Sequence, residues 1–308
     1  MTTPSFSPDV PMATLPAAAR ALMARIGPVW GSDLAGHRDA VFRTYTPLLE
    51  ARPDVGFDAV RELPYGPHAR HRLDLYRPHG CNGAPVVMFV HGGAFIRGAR
   101  DANAQIYSNV PRYFAGKGCL GVNVGYRLAP EAAYPEGSRD VGAAVAWVRA
   151  HAHEHGADPG RIFLVGHSAG GTHAATYIAD PAARSPDGHG LAGLVLLSAR
   201  LRIEARADNP NANGVRAYYG EDPSLYEARS PITHAGNLDL PTFIVTTEYD
   251  NPLLDVYGAE LAWRIALLHG RAPRFTRMTR HNHTSLCAHF NTAEEILGLE
   301  ILDFIARG

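Results

Sequence analysis

Lysine is nearly absent from this chain: Lys117 stands alone, and arginine supplies the rest of the 29 basic residues. That bias reads as codon usage, not chemistry. Against 30 acidic residues the formal net charge is −1, so there is no basic field to hold a nucleic acid. Cysteine is scarce too. Cys81, Cys119 and Cys287 are widely spaced with no C-x-x-C pair, which excludes a disulfide scaffold and fits a reducing compartment. No apolar run reaches the roughly 18 residues of a membrane span. The start, MTTPSFSPDVPMATLP, lacks the basic and apolar regions of a secretory signal. The expectation is a cytoplasmic protein with neither membrane nor nucleic-acid partner.

What is present describes a large globular unit. Hydrophobic residues make up 46% and charged residues 19% of 308, slightly beyond the roughly 250–300 residues at which one core stops growing. One catalytic-sized domain with an appended cap is expected, as a monomer or a homo-oligomer. Residues 1–16 hold four prolines and read as a loose arm. Ala17 to about Leu49 reads as helices broken near Gly27-Pro28 and Gly31, so residues 1–56 form an N-terminal helical segment, either a lid or simple packing.

From Phe57 onward, in 57–308, the period changes. Phe57–Leu63 and His71–Arg77 alternate like antiparallel edge strands. Unbroken apolar runs follow at Pro85–Val90, Leu120–Val124, Ile162–Val165, Leu191–Leu197 and Thr242–Thr246, the pattern of parallel strands buried on both faces. Arg274–Met278 is a more polar run. Helical stretches at Asp140–His153, Ala169–Ala179, Leu254–Leu268 and Ala293–Ala306 alternate with them, predicting an α/β fold with a mostly parallel sheet between helices. Arg200–Asn237 interrupts this order with three prolines and three tyrosines. An insertion of that length is more often functional than idle, and it reads as a second cap segment at about 200–237.

Two glycine-rich stretches carry chemistry. Gly166-His167-Ser168-Ala169-Gly170 fits G-x-S-x-G, between the strand RIFLV and the helix AATYIA. A serine in so sharp a turn projects its hydroxyl above the sheet, and flanking glycines remove clashing Cβ atoms. The following helix aims its N-terminal dipole at the reacting oxygen. His91-Gly92-Gly93-Ala94-Phe95 follows another strand. Consecutive glycines there let backbone N–H groups approach a developing oxyanion, and the amides of Gly92, Gly93 and Ala169 are the candidate donors.

Taken in order, HGGAF, Tyr126-Arg127-Leu128-Ala129-Pro130-Glu131 with Tyr134-Pro135, and GHSAGG resemble the hormone-sensitive-lipase-like branch of the α/β-hydrolases. YGPHARHRLDLYRP and HNH look like that branch's feruloyl-esterase-like and arylformamidase-like bacterial relatives. The resemblance implies a carboxylesterase-type serine hydrolase with a Ser–acid–His triad, a helical cap and no cofactor or metal. Ser168 would be the nucleophile. The acid follows in chain order. Where the family has Asp-Pro-Leu, this chain reads Asp250-Asn251-Pro252-Leu253, one residue longer. Asp250 keeps the loop position, with Asp255 and Glu248 as alternatives. For the base, the surroundings of His283 resemble the family better than those of His281.

His151, His153 and His155 could share a helix face as metal ligands, but no carboxylate or cysteine joins them, and a solvated helix end is the expectation. Candidate pocket walls are Trp30, Phe95, Tyr218 and Tyr219. The expected substrate is a small-molecule ester. A formamide or amide needs the same machinery, and a receptor that reuses the pocket without catalysis is the remote alternative.

Overall fold

The computed structural model describes residues 10–308. Eight strands form one sheet in the order β1-β2-β4-β3-β5-β6-β7-β8. They are β1 (Phe57–Pro64), β2 (Arg72–Pro78), β3 (Ala84–Val90), β4 (Leu120–Val124), β5 (Ala157–His167), β6 (Gly193–Leu197), β7 (Thr242–Tyr249) and β8 (Arg274–Asn282). β1–β2 and β2–β4 pair antiparallel, and every other pair is parallel. The edge strand β1 is largely exposed, whereas β4 and β6 are wholly buried, as their uninterrupted apolar sequences require.

Alternation within the central strands splits the core in two. Val86, Met88, Val90 and Leu164 face one side and pack on α4 (Glu136–His151), α5 (Ala169–Ala179) and α7 (Leu254–His269). Val87, Phe89, Phe163 and Val165 face the other and pack on α3 (Asn109–Gly116), α8 (Ser285–Ala288) and α9 (Ile296–Arg307). Helix α3 is absent from the sequence reading. It has only eight residues, and Pro111 sits in its first turn, where proline is tolerated but hides the helical pattern.

Register decides what meets at the carboxyl end of the sheet. Val90 pairs with Gly166, so the loops opening at His91 and His167 emerge side by side. Tyr249 pairs with Asn282, which brings the next residues, Asp250 and His283, together from the ends of β7 and β8. Ligand sites of parallel sheets lie at this edge.

The N-terminal segment lies over that edge. Helices α1 (Ala17–Ile26) and α2 (Leu34–Glu50) flank a 3₁₀ turn at Gly27–Ser32. They bury Met23, Ile26, Trp30, Val41, Tyr45 and Leu49 in a third cluster that includes Ile106 and Ala288. The loose arm is corrected for residues 10–16: Met12 and Leu15 are buried. The rest of that arm lies outside the described residues. The Met12 amide donates to Glu294 Oε1 at 2.7 Å, and His281 Nε2 lies 3.0 Å from the same oxygen. Pro11 and Pro16 instead flank a stretch whose Met12 amide is held by a buried carboxylate.

Burial pushes the Glu294 carboxyl up, but the charge and hydrogen bond of His281 outweigh it and bring it down to about 2. A folded value below the unfolded one stabilises fully above the unfolded pKa and less as pH falls through the folded one. Glu294→Gln should cost about 2–3 kcal/mol at pH 7 and roughly half that at pH 3, read from urea unfolding. Equal losses at both values would remove the carboxylate charge from the account.

Candidate active site

Ser168 joins β5 directly to α5 with φ 53° and ψ −122°, a backbone region that costs a non-glycine residue about 1–3 kcal/mol. The surrounding backbone is too close for side chains. A Cβ on Gly170 would lie 2.2 Å from the Val90 carbonyl oxygen, and one on Gly166 would lie 2.5 Å from Gly171 Cα. The glycines thus let strand, helix and the neighbouring β3 end converge, and the start of α5 points its free N–H groups toward the serine.

His283 Nδ1 lies 2.8 Å from Asp250 Oδ1. The Asp250 carboxylate also accepts the Ser198 hydroxyl at 2.6 Å and the amides of Asn251 at 2.9 Å and Thr247 at 3.3 Å. Burial raises the Asp250 pKa, yet the His283 contact and the other donors outweigh it and leave the carboxyl below its ordinary value. It is therefore ionised and fixed, able to orient His283 with its proton on Nδ1 and to stabilise an imidazolium. The histidine has a second support: His167 Nε2 lies 3.0 Å from the His283 carbonyl oxygen, with the two rings 4.7 Å apart. Burial pushes His167 down to about 3, so it stays neutral beside its partner.

The other candidates lie elsewhere. His281 is fully buried between Ser285 Oγ at 3.1 Å and Glu294. Asp255 accepts the Val256 amide in the first turn of α7, and Glu248 accepts the Arg280 amide. At the other histidine cluster, His151 stacks on Trp147 with centroids 4.2 Å apart and lies 2.7 Å from its carbonyl oxygen. Among the described residues no three side chains of His, Cys, Asp or Glu converge as a metal site, and no helix is long and apolar enough to cross a membrane.

The glycine loop after β3 abuts the serine. A Cβ on Gly92 would stand 3.0 Å from Ser168 Cβ, and one on Gly93, at φ 147°, would fall 1.8 Å from the Arg97 carbonyl oxygen. Only glycine lets this loop curl so tightly beside the hydroxyl. The Tyr126-Arg127 motif braces it from below. Tyr126 Oη donates to the His91 carbonyl at 2.8 Å, and Arg127 forks onto Asp140.

Above these groups is a cavity of about 570 Å³, within the range of small-molecule sites. Ser168, His283, Gly92 and Gly93 form its floor; Trp30, Arg38 and Phe42 come from the N-terminal segment; Pro210 and Asn211 come from the insertion.

A profile of the α/β-hydrolase fold family matches residues 87–262, more than half of the chain. The chain belongs to the α/β-hydrolase fold family. Its branch is the hormone-sensitive-lipase-like one. It is 41% identical over 170 residues to Esterase LipI of Mycobacterium tuberculosis, covering 46% of this chain and 52% of that one. It is 32% identical over 220 residues to Carboxylesterase NlhH of the same organism, covering 65% of each. The chain thus spans between half and two thirds of the length of these curated relatives. Among solved structures, a hyperthermophilic esterase from the archaeon Pyrobaculum calidifontis superimposes with TM-score 0.71 at 25% identity, covering 95% of this chain and 98% of that one. A bacterial heroin esterase gives 0.70 at 25%, covering 96% and 98%.

Within this α/β-hydrolase frame, three expected pocket walls need correction. Trp30 does line the cavity, but Phe95, Tyr218 and Tyr219 do not. All three are at most 2% exposed. Phe95 and Tyr218 stack at 5.0 Å and 8°, with Tyr219 edge-on at 5.4 Å from Phe95. The insertion helix α6 (Ala212–Tyr219) therefore packs under the glycine loop, and a Cβ on Gly214 would sit 2.1 Å from the Ala94 carbonyl oxygen. Only Pro210 and Asn211 of the insertion reach the cavity. Aromatic residues bury most of their surface wherever they can, and here the nearest apolar space lies behind the loop.

Three contributors escaped the sequence reading. Ser198 and His167 hold Asp250 and His283. The extra residue, Asn251, accepts the buried Trp30 indole N–H at 2.9 Å. The length anomaly in the Asp-Asn-Pro-Leu stretch marked the place; the tryptophan partner, 221 residues away, could not be read from it. Asn251→Ala leaves that N–H buried and unpaired, a cost of about 1–3 kcal/mol. Thermal unfolding should drop accordingly, and limited proteolysis should cut within residues 10–50 sooner. An unchanged cleavage pattern would show that the bond does not secure the segment.

Proposed function

We propose that this chain is a carboxylesterase that cleaves small carboxylic esters through an acyl-enzyme, with Ser168 as nucleophile, His283 as base and Asp250 as the orienting acid. The observation that carries this reading is the 2.8 Å His283–Asp250 contact sharing one cavity with the strained Ser168 turn and Gly92-Gly93. The esterase relatives and structural neighbours support the same reading.

In this mechanism His283 Nε2 takes the Ser168 proton as Oγ attacks the carbonyl carbon. The amides of Gly92, Gly93 and Ala169 receive the charge that moves to the carbonyl oxygen. Collapse of the tetrahedral species breaks the ester C–O bond, and His283 returns the proton to the leaving alcohol. Water, deprotonated by the same histidine, attacks the acyl-serine and releases the acid. The N-terminal segment acts as the cap of the site, holding Trp30 and Phe42 over it.

Ser168→Ala should lower kcat by about 10⁵–10⁶, and Asp250→Asn by about 10³–10⁴. His283→Ala should nearly abolish turnover, while His281→Ala and Asp255→Asn retain most of it in folded protein. Since the base must be unprotonated, kcat/KM should fall on the acid side through one ionisation; neutral His167 contributes no second one. A more damaging Asp255→Asn or His281→Ala would transfer the assignment.

Charged side chains interrupt the apolar lining: Arg38, Asp39, Arg97 and Asp101 all border the cavity. A long acyl chain would lie against them and desolvate charge. p-Nitrophenyl acetate and butyrate should therefore exceed the decanoate in kcat/KM, and chelators should have no effect. A decanoate rate above both would reject the short-acyl reading. N-formylkynurenine turned over faster than every ester would make the enzyme a formamidase.

A further inference from the structure

The charges around the cavity are not evenly paired. Arg38 holds Asp39 at 2.8 Å. Asp101 lies in the field of Arg100, which also holds Glu62 and Asp74. Arg97 differs. Its Nη2 donates to the neutral Asn211 Oδ1 at 3.0 Å, and no carboxylate among the described residues lies within ion-pair distance of it. Its side chain stands exposed at the rim of the cavity, in the field of the neighbouring Arg38 charge. The result is a guanidinium that gains from any anion reaching it.

Its position is set by the catalytic loop itself. The Arg97 amide donates to the Gly93 carbonyl at 3.0 Å, closing the turn that carries Gly92 and Gly93. An anion on Arg97 would therefore be registered against the same backbone that faces Ser168. Arg97 also touches the insertion through Asn211, so it sits where the two sides of the cavity meet.

We propose that Arg97 is a specificity-determining residue that binds a carboxylate on the substrate, and that the preferred substrates are esters carrying such an anion on the acyl or alcohol half. This rests on the esterase reading above. A solvated arginine that merely ties Asn211 is the competing account, and it gives no preference for anions.

Two substrate pairs test it. Mono-p-nitrophenyl glutarate against p-nitrophenyl pentanoate places the charge on the acyl side. 4-Acetoxybenzoate against p-tolyl acetate places it on the alcohol side. The anionic-to-neutral ratio of kcat/KM should fall about three- to fivefold in Arg97→Gln for one pair, through KM more than kcat, since ion pairs at an exposed side chain are worth about that much. Arg97→Lys should restore part of the ratio, and added salt should erode the wild-type preference. Ratios within twofold of wild type for both pairs overturn the proposal while leaving the esterase reading intact. If no ester is turned over, the esterase reading fails. Anion recognition is then decided by calorimetric titration of Ser168→Ala with 4-methylbenzoate against 4-methylbenzamide. Binding weakened about three- to fivefold by adding Arg97→Gln supports it, and binding indifferent to Arg97 overturns it.

Discussion

Asp250 accepts hydrogen bonds from four donors drawn from different parts of the chain: the His283 ring, the Ser198 hydroxyl beyond β6, the Thr247 amide within β7 and the Asn251 amide in the loop. A carboxylate this deeply buried is tolerable only because each lone pair is matched. Remove the match and the imidazole loses its orientation, the ends of β6, β7 and β8 lose their common anchor, and the loop that grips Trp30 is released. The N-terminal segment, the His283 imidazole and the sheet edge therefore meet at one ionised group. The serine turn is a separate construction, built by steric permission at Gly166 and Gly170, and it meets this network through His167.

Two arrangements of histidine and carboxylate occur within a few residues of each other. His283 meets Asp250 at the cavity; His281 meets Glu294 in the interior. The chemistry of the pairs is alike, but their access is not. The inner pair binds the Met12 amide and joins the N-terminal segment to the approach to α9, which is structural work. The outer pair has a free ring edge facing open space. Access to the cavity, not residue type, divides the two pairs.

Much of this was legible in the sequence because it follows from steric necessity. Glycine beside Ser168, glycine after β3 and unbroken apolar runs each admit few conformations, so motif and strand could be read locally. The choice between His281 and His283 could not be made that way. They lie two positions apart, strand alternation treats them alike, and their partners are distant in sequence. Phe95, Tyr218 and Tyr219 differ from expectation for a related reason: an aromatic residue near a site serves equally as wall or as filling, and packing between α6 and the glycine loop decides which. The edges of helices also moved, with α4 beginning at Glu136 and α9 at Ile296, because caps and prolines set boundaries that periodicity blurs.

The hydrogen bonds that fasten the N-terminal segment span 221 residues for Trp30 to Asn251 and 282 for Met12 to Glu294. Synthesis runs from N- to C-terminus, so this segment is made before β7 through Glu294, which supply those partners, and before Ile106, on which it also packs. Until those parts follow, Met23, Ile26, Trp30 and Tyr45 lack part of the apolar surface they bury against. The segment is thus made before the parts that hold it, and it settles beside the cavity only once the residues up to Glu294 are in place.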